Sequence, residues 1–180
     1  MMKILYKKKD IQFRYITKAD LEPLRLMHNH SSTLSMLTDT TEVTPEMQNN
    51  WFNQLYNSSK SGRYSIYAKM AVGKPKNQYQ LIGMVRIDQI DKLNKNMLVG
   101  LDIDPQFRGL GLGKKSFHVL MDYGFKKLKM HKLTLYTAAY NQIAISMYKS
   151  LGFKKEGSLK DHLRRGSKYY DLLVMSCFKK

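Results

Sequence analysis

The sequence predicts a mixed α/β domain in which antiparallel strands come first and a βαβα order follows. Three observations carry that prediction. Runs that alternate apolar and polar residues recur between Asp10 and Asp104, interrupted by two stretches with helical spacing. After a glycine-rich junction the apolar spacing changes from the period of a strand to that of a helix. Two further apolar runs, one on each side of another helical stretch, complete the chain. With 180 residues and 43% hydrophobic content, one domain spanning 1–180 can bury a substantial core.

Taken in order, "DIQFRYIT" alternates as a strand does, and "KADLEPLRLMHNH" follows with Leu21, Leu24, Leu26 and Met27 at helical spacings. In "TPEMQNNWFNQLY", Thr44 is the expected N-cap and Pro45 the first helical residue. "RYSIYAKMAV" and "LIGMVRIDQI" read as strands joined by the turn-rich "GKPKNQ". "DKLNKN" marks a second hairpin turn before the strand "NMLVGLDID". Beyond the junction, Phe117, Leu120, Met121, Phe125 and Leu128 form one apolar helical face. "KLTLYTA" is a short strand. "NQIAISMYKSLGF" is a helix stopped by Gly152, and "KYYDLLVMSCF" is a closing strand.

Composition narrows the class. The opening "MMKILYKKKD" lacks the apolar run of a secretory leader, and no stretch approaches the roughly 20 apolar residues that span a bilayer. Cys177 is the single cysteine and no Cys/His cluster has metal-ligand spacing. The expectation is therefore a soluble protein of a reducing, cytoplasmic setting, with neither a membrane partner nor a metal. Net charge is +17, and 16 basic against 4 acidic residues lie between Arg108 and Lys180. Such a field attracts anions, although much of it is also what solvated surface lysines produce.

The junction itself is "DPQFRGLGLG", Asp104 to Gly113. A helix N-terminus presents unpaired N–H groups and a partial positive charge, and glycines let an anion approach the backbone. Arg108 in front and Lys114 and Lys115 behind reinforce the sign. A polyphosphate is the natural occupant; a flexible connector is the plainer reading. Neither a Walker A loop nor a dinucleotide fingerprint fits, because Lys114 is followed by lysine and the third glycine comes too soon.

"LDIDPQFRGLGLGKKSFHVLMDYGF" resembles the acetyl-CoA motif of the GCN5-related N-acetyltransferases (GNAT), Arg/Gln-x-x-Gly-x-Gly/Ala. Registers starting at Arg108 and at Gln106 both fit, and the Arg108 register is preferred. "NQIAISMYKSLGF" resembles a second block of that family at Asn141, Ala144, Tyr148, Gly152 and Phe153. "FRYITKADLEPLRLM", Trp51–Phe52 and "EGSLKDHLRRGSKYYDLLVMSCF" are similar to the branch that holds ribosomal-protein, polyamine and amino-sugar acetyltransferases.

The resemblance implies the GNAT fold, a mostly antiparallel mixed sheet flanked by helices and splayed into a V between two central strands. It implies acetyl-CoA as acyl donor to a small-molecule amine, with no need for nucleic acid. On the matching positions, the strand edge Leu101, Asp102 and Ile103 would bind pantetheine, with an Ile103 N–H facing the thioester oxygen. Main chain of Arg108, Gly109, Leu110, Gly111, Leu112, Gly113 and Lys114 would wrap the pyrophosphate. Asn141 would help hold the coenzyme, besides capping its helix, and Tyr148 matches the general acid. The side chains of Asp102 and Asp104 are expected to face water. Base candidates are His28, His30, Asp39, Glu42 and Glu46, or a water. The strong positive charge favours a phosphate-bearing acceptor, a nucleotide-linked amino sugar before a polyamine or a protein N-terminus. A non-catalytic nucleic-acid-binding module is the distant alternative. The assembly state stays open, homodimer included.

Overall fold

A computed structural model describes residues 3–69 and 78–179. Eight strands form one sheet: β1 (Ile4–Lys8), β2 (Ile11–Tyr15), β3 (Gly62–Lys69), β4 (Tyr79–Asp91), β5 (Asn96–Ile103), β6 (Lys132–Ala138), β7 (Lys154–Arg165) and β8 (Lys168–Phe178). Their order is β1-β2-β3-β4-β5-β6-β8-β7. Every neighbouring pair is antiparallel except β5 and β6, which run parallel. Five helices flank the sheet: α1 (Lys18–Asn29), α2 (Ser31–Leu34), α3 (Pro45–Gln54), α4 (Leu112–Asp122) and α5 (Gln142–Ser150).

The foreseen elements form for the foreseen reasons. Thr44 caps α3 by accepting from the Met47 N–H at 3.2 Å, and Pro45 opens the helix. α1 starts on a reciprocal cap, in which the Thr17 N–H donates to Asp20 Oδ2 at 2.9 Å. Asp20 is buried and also accepts from Ser65 Oγ and Tyr67 Oη, so its charge is fully met by donors. The expected turn at 73–78 lies outside the described residues but for Gln78, as do residues 70–72 before it.

Three elements were not foreseen. β1 is short and mostly exposed, and antiparallel pairing with β2 holds it. β7 reads as polar because it is exposed along most of its length, with only Leu163 buried; antiparallel pairing with β8 holds it. α2 is a single turn. The long helix expected through Leu128 also changes character: α4 ends at Asp122 and Tyr123–Lys127 form a π turn, closed by the Leu128 N–H on the Tyr123 carbonyl at 2.9 Å.

Two cores result. One face of the sheet, with Phe13, Ile66, Val85, Met97 and Leu133, packs against Phe117 and Leu120 of α4. The other face carries α1 and α3, where Leu21, Leu24 and Met27 meet Leu81 and Met84 of β4. Each buried aliphatic or aromatic side chain contributes about 1.5–3 kcal/mol, so both helix layers are held firmly.

Candidate active site

The sheet opens in its middle. β5 and β6 pair only at Asn96↔Lys132, Met97↔Leu133 and Leu98↔Thr134, although β5 continues to Ile103 and β6 to Ala138. On its other edge β5 stays paired with β4 as far as Ile103↔Gly83. The Asp104 N–H donates to the Ile82 carbonyl, which fixes the alternation of that ladder. Backbone groups of Leu101 and Ile103 therefore turn away from β4, into the gap left by β6. Those of Asp102 turn toward β4, so the expectation that Asp102 presents its backbone to the coenzyme is corrected. A strand edge freed inside a sheet can accept one more extended segment.

The glycine junction closes the wide end of this gap. Asp104 caps a 3-10 turn (Pro105–Phe107) by accepting from the Gln106 N–H at 3.0 Å. Gly109 and Gly111 then take φ of +77° and +72°, where L side chains are strained, and a Cβ at either would meet nothing within 4 Å. Gly111 is the N-cap of α4. The first helical bond runs from the Lys115 N–H to the Gly111 carbonyl, which leaves the N–H groups of Leu112, Gly113 and Lys114 without helical acceptors. Leu112 buries its side chain, and Leu110 and Lys114 are exposed. These features suit an anion.

Arg108 differs from the expectation. Its amide donates back to the Pro105 carbonyl, and its Nε donates to the Ile103 carbonyl at 2.9 Å. The rest of the guanidinium reaches α2, donating to the Ser32 carbonyl, Ser32 Oγ and Thr33 Oγ1 at 3.2, 3.0 and 2.6 Å. Both its backbone and side-chain donors are engaged inside the protein rather than presented to a phosphate.

Tyr148 stands on α5, which Asn141 caps by accepting from the Ala144 N–H at 3.2 Å. The Tyr148 ring is buried edge-on to Phe117, with centroids 5.1 Å apart, and beside Phe153. Its hydroxyl makes no hydrogen bond among the described residues. Burial first, and then the charge of Asp102, push the phenol up to about 12, while Arg86 opposes them. Asp102 is thus not a solvated carboxylate: its side chain is 14% exposed. Arg86 Nη2 lies 3.4 Å from Asp102 Oδ1, a long contact, and the guanidinium rests over Gly100, where a Cβ would come within 3.2 Å of it. Arg86 Nε is buried and has no hydrogen-bond partner.

None of the five base candidates joins this group by any contact among the described residues. His28 Nε2 bonds the Thr41 carbonyl, His30 caps α2 through Ser32, and Asp39 caps Thr41. Glu42 and Glu46 are exposed. Sequence reading missed Arg86, although a cation inside the apolar strand "MVRID" is a visible signal. It also missed the anchoring roles of Tyr140 and Arg165, which no local pattern marks. A cavity of about 460 Å³ lies away from the gap, between the β1–β2 turn and α4, lined by Lys9, Ile11, Lys115, Val119 and Phe125 among others.

Residues 10–154 match the model of the Acetyltransferase (GNAT) domain. The chain is 31% identical over 97 residues to the spermidine N(1)-acetyltransferase of Escherichia coli K12, covering 54% of this chain and 52% of that protein. It is 26% identical over 100 residues to a putative ribosomal N-acetyltransferase of Bacillus subtilis, covering 56% and 55%. The match thus spans about half the length of these curated relatives. Among solved structures, spermidine N-acetyltransferase from Vibrio cholerae in complex with CoA and spermine superposes with a TM-score of 0.81 at 22% identity, over 95% of this chain and 96% of that one. At that identity the likeness establishes the fold, and the open sheet is a feature of it.

Proposed function

The chain belongs to the GNAT acetyltransferase family, and on that footing we propose that it transfers an acetyl group from acetyl-CoA to the primary amine of a small acceptor. One observation carries the reading: the β5 edge is free from Val99 to Ile103, beside a helix N-terminus with three free amides and a buried tyrosine whose hydroxyl has no partner among the described residues. Bound acetyl-CoA supplies an activated acyl group, a thioester that a neutral amine attacks directly with release of the thiol.

The chain's own residues divide the remaining work. Leu101 and Ile103 pair with the pantetheine amides as a neighbouring strand would, and an Ile103 N–H stabilises charge developing on the thioester oxygen. The amides of Leu112, Gly113 and Lys114 take the pyrophosphate, with Gly109 and Gly111 shaping the turn. Tyr148 acts as a hydrogen-bond donor. Moving its proton fully to a thiolate, from a phenol at about 12 to a thiol near 8.5, is uphill by about 5 kcal/mol. A hydrogen bond that strengthens as charge builds on sulfur needs no such transfer. An alkyl ammonium of pKa about 10.4 needs roughly 4.6 kcal/mol to lose its proton at pH 7.

The relatives named above move the first choice of acceptor from an amino sugar to a spermidine-like polyamine. Net charge was a poor guide, because charges farther than a Debye length of about 10 Å are screened at the cleft. A second acceptor class has one local observation in its favour. The Arg86 side chain, beside Asp102, is 34% exposed, and an amine flanked by an oxygen or phosphate would pair with its guanidinium where a polyamine offers no acceptor. A thiol-release assay with spermidine, amino sugar phosphates and short peptides decides between them. Release with spermidine that survives Arg86→Gln supports the first class, and release confined to oxygen-flanked amines and lost in Arg86→Gln supports the second. No acetyl-CoA-dependent release with any amine contradicts the transferase.

A further inference from the structure

The segment from His30 to Leu37 carries α2 to the end of the free β5 edge, where Arg108 bridges it to the Ile103 carbonyl, and it cannot hold itself there. α2 has four residues, too few for a helix that is stable alone. Of its side chains, Thr33 and Leu37 are buried. What fixes it is a row of hydrogen bonds from the far half of the chain. Arg108 donates to Ser32 and Thr33, the Tyr140 hydroxyl donates to the Ser35 carbonyl at 2.8 Å, and Arg165 Nη2 donates to the Leu37 carbonyl.

The origin of these donors matters. Arg108 directly precedes the glycine turn and also grips the carbonyl of Ile103, the last residue of the free strand edge. Tyr140 adjoins Asn141, the cap of the helix that bears Tyr148. Arg165 ends β7, and its Nε donates to the Tyr140 hydroxyl at 3.0 Å, so the phenol accepts from a cation while it donates to Ser35. Such a relay strengthens each bond in it, and bonds from guanidinium are among the stronger kind.

We propose that Arg108, Tyr140 and Arg165 are positioning residues that clasp the α2 segment to the coenzyme-binding half, so that occupancy of the glycine turn raises affinity for the amine. The proposal rests on the transferase reading for its second half. A pyrophosphate that orders the turn also orders Arg108, and Arg108 orders Ser32 and Thr33. Linkage makes the effect reciprocal: bound amine tightens coenzyme by the same factor.

Two readouts test it. Hydrogen exchange of the free protein asks whether the clasp exists at all: Tyr140→Phe, which keeps the ring packed against Tyr170, and Arg165→Lys should speed exchange of amides 31–37 several-fold while leaving α4 and α5 unchanged. Unaltered exchange overturns the clasp. Steady-state kinetics then ask about its consequence. The same variants should raise KM for the amine about fivefold, with the affinity for acetyl-CoA measured alone within twofold of wild type. In wild type, coenzyme should tighten amine binding, and Arg108→Lys should abolish that tightening. Parallel loss for both substrates, or equal coupling in Arg108→Lys, overturns the positioning role. If wild type binds no acetyl-CoA, the transferase reading and the coupling both fail, and exchange alone judges the clasp.

Discussion

The half around β5, α4 and α5 and the segment 29–44 are built from different forces. Around β5, α4 and α5 the frame is apolar: Phe117, Tyr148 and Phe153 pack edge to face, and Ile103 and Leu112 close the core beneath the glycine turn. Residues 29–44 are held by polar bonds. Asn29 pairs with both backbone groups of Val43, His28 with Thr41, and the clasp with Ser32, Thr33, Ser35 and Leu37. Apolar packing tolerates little displacement, whereas each net hydrogen bond contributes about 0.5–1.5 kcal/mol. The half around β5, α4 and α5 is thus a rigid apolar frame and residues 29–44 a separately adjustable polar strap; on the proposed reading the first sets the group transfer and the second the choice of acceptor.

The comparison breaks most visibly at Phe117. Phe117→Ala removes the ring beneath Tyr148 and should destabilise the fold by about 3–5 kcal/mol in denaturant unfolding. A loss under 1 kcal/mol would mean that the aromatic frame is not what holds this half. Tyr148→Phe should do the opposite, leaving stability intact because the hydroxyl has no partner to lose, yet lowering kcat about 10²-fold with acetyl-CoA affinity unchanged. Wild-type turnover, with chemistry shown to be rate-limiting, removes Tyr148 from the mechanism. Gly111→Ala sharpens the contrast: the cost is conformational, about 1–2 kcal/mol, since no atom lies within 4 Å to clash. Calorimetry should show weaker acetyl-CoA binding in a folded protein.

What the sequence made legible follows the same division. The glycine turn and the N-caps at Thr44 and Asn141 are local patterns with local causes, and each was readable, whereas Tyr148 stood out through the family block alone. Arg108 was read as a phosphate neighbour because its partners in α2 lie 75 and 76 residues away in the chain. Tyr140 and Arg165 act across still longer separations, through backbone carbonyls that carry no side-chain signature. Asp102 was read as solvated because strand ends usually are; its burial comes from Arg86 and the closing of β4 onto β5, which only the pairing register reveals.

The smallest effect concerns acid. The ammonium groups of Lys126 and Lys8 and the Tyr6 hydroxyl hold the Asp122 carboxyl well below the usual range, tying the β1–β2 hairpin to α4. A carboxyl depressed on folding contributes stability that is present above its unfolded pKa, about 3.9, and is lost as pH falls further. Asp122→Asn should therefore flatten the fall in melting temperature below about pH 4. A slope identical to wild type there would mean that these contacts add nothing.

The most direct measurement is a crystal structure with CoA. Our account predicts pantetheine amides paired with Leu101 and Ile103, diphosphate oxygens on the amides of Leu112 to Lys114, and the sulfur within hydrogen-bond reach of Tyr148. A ligand lodged elsewhere, with the opening between β5 and β6 left unfilled, would contradict it.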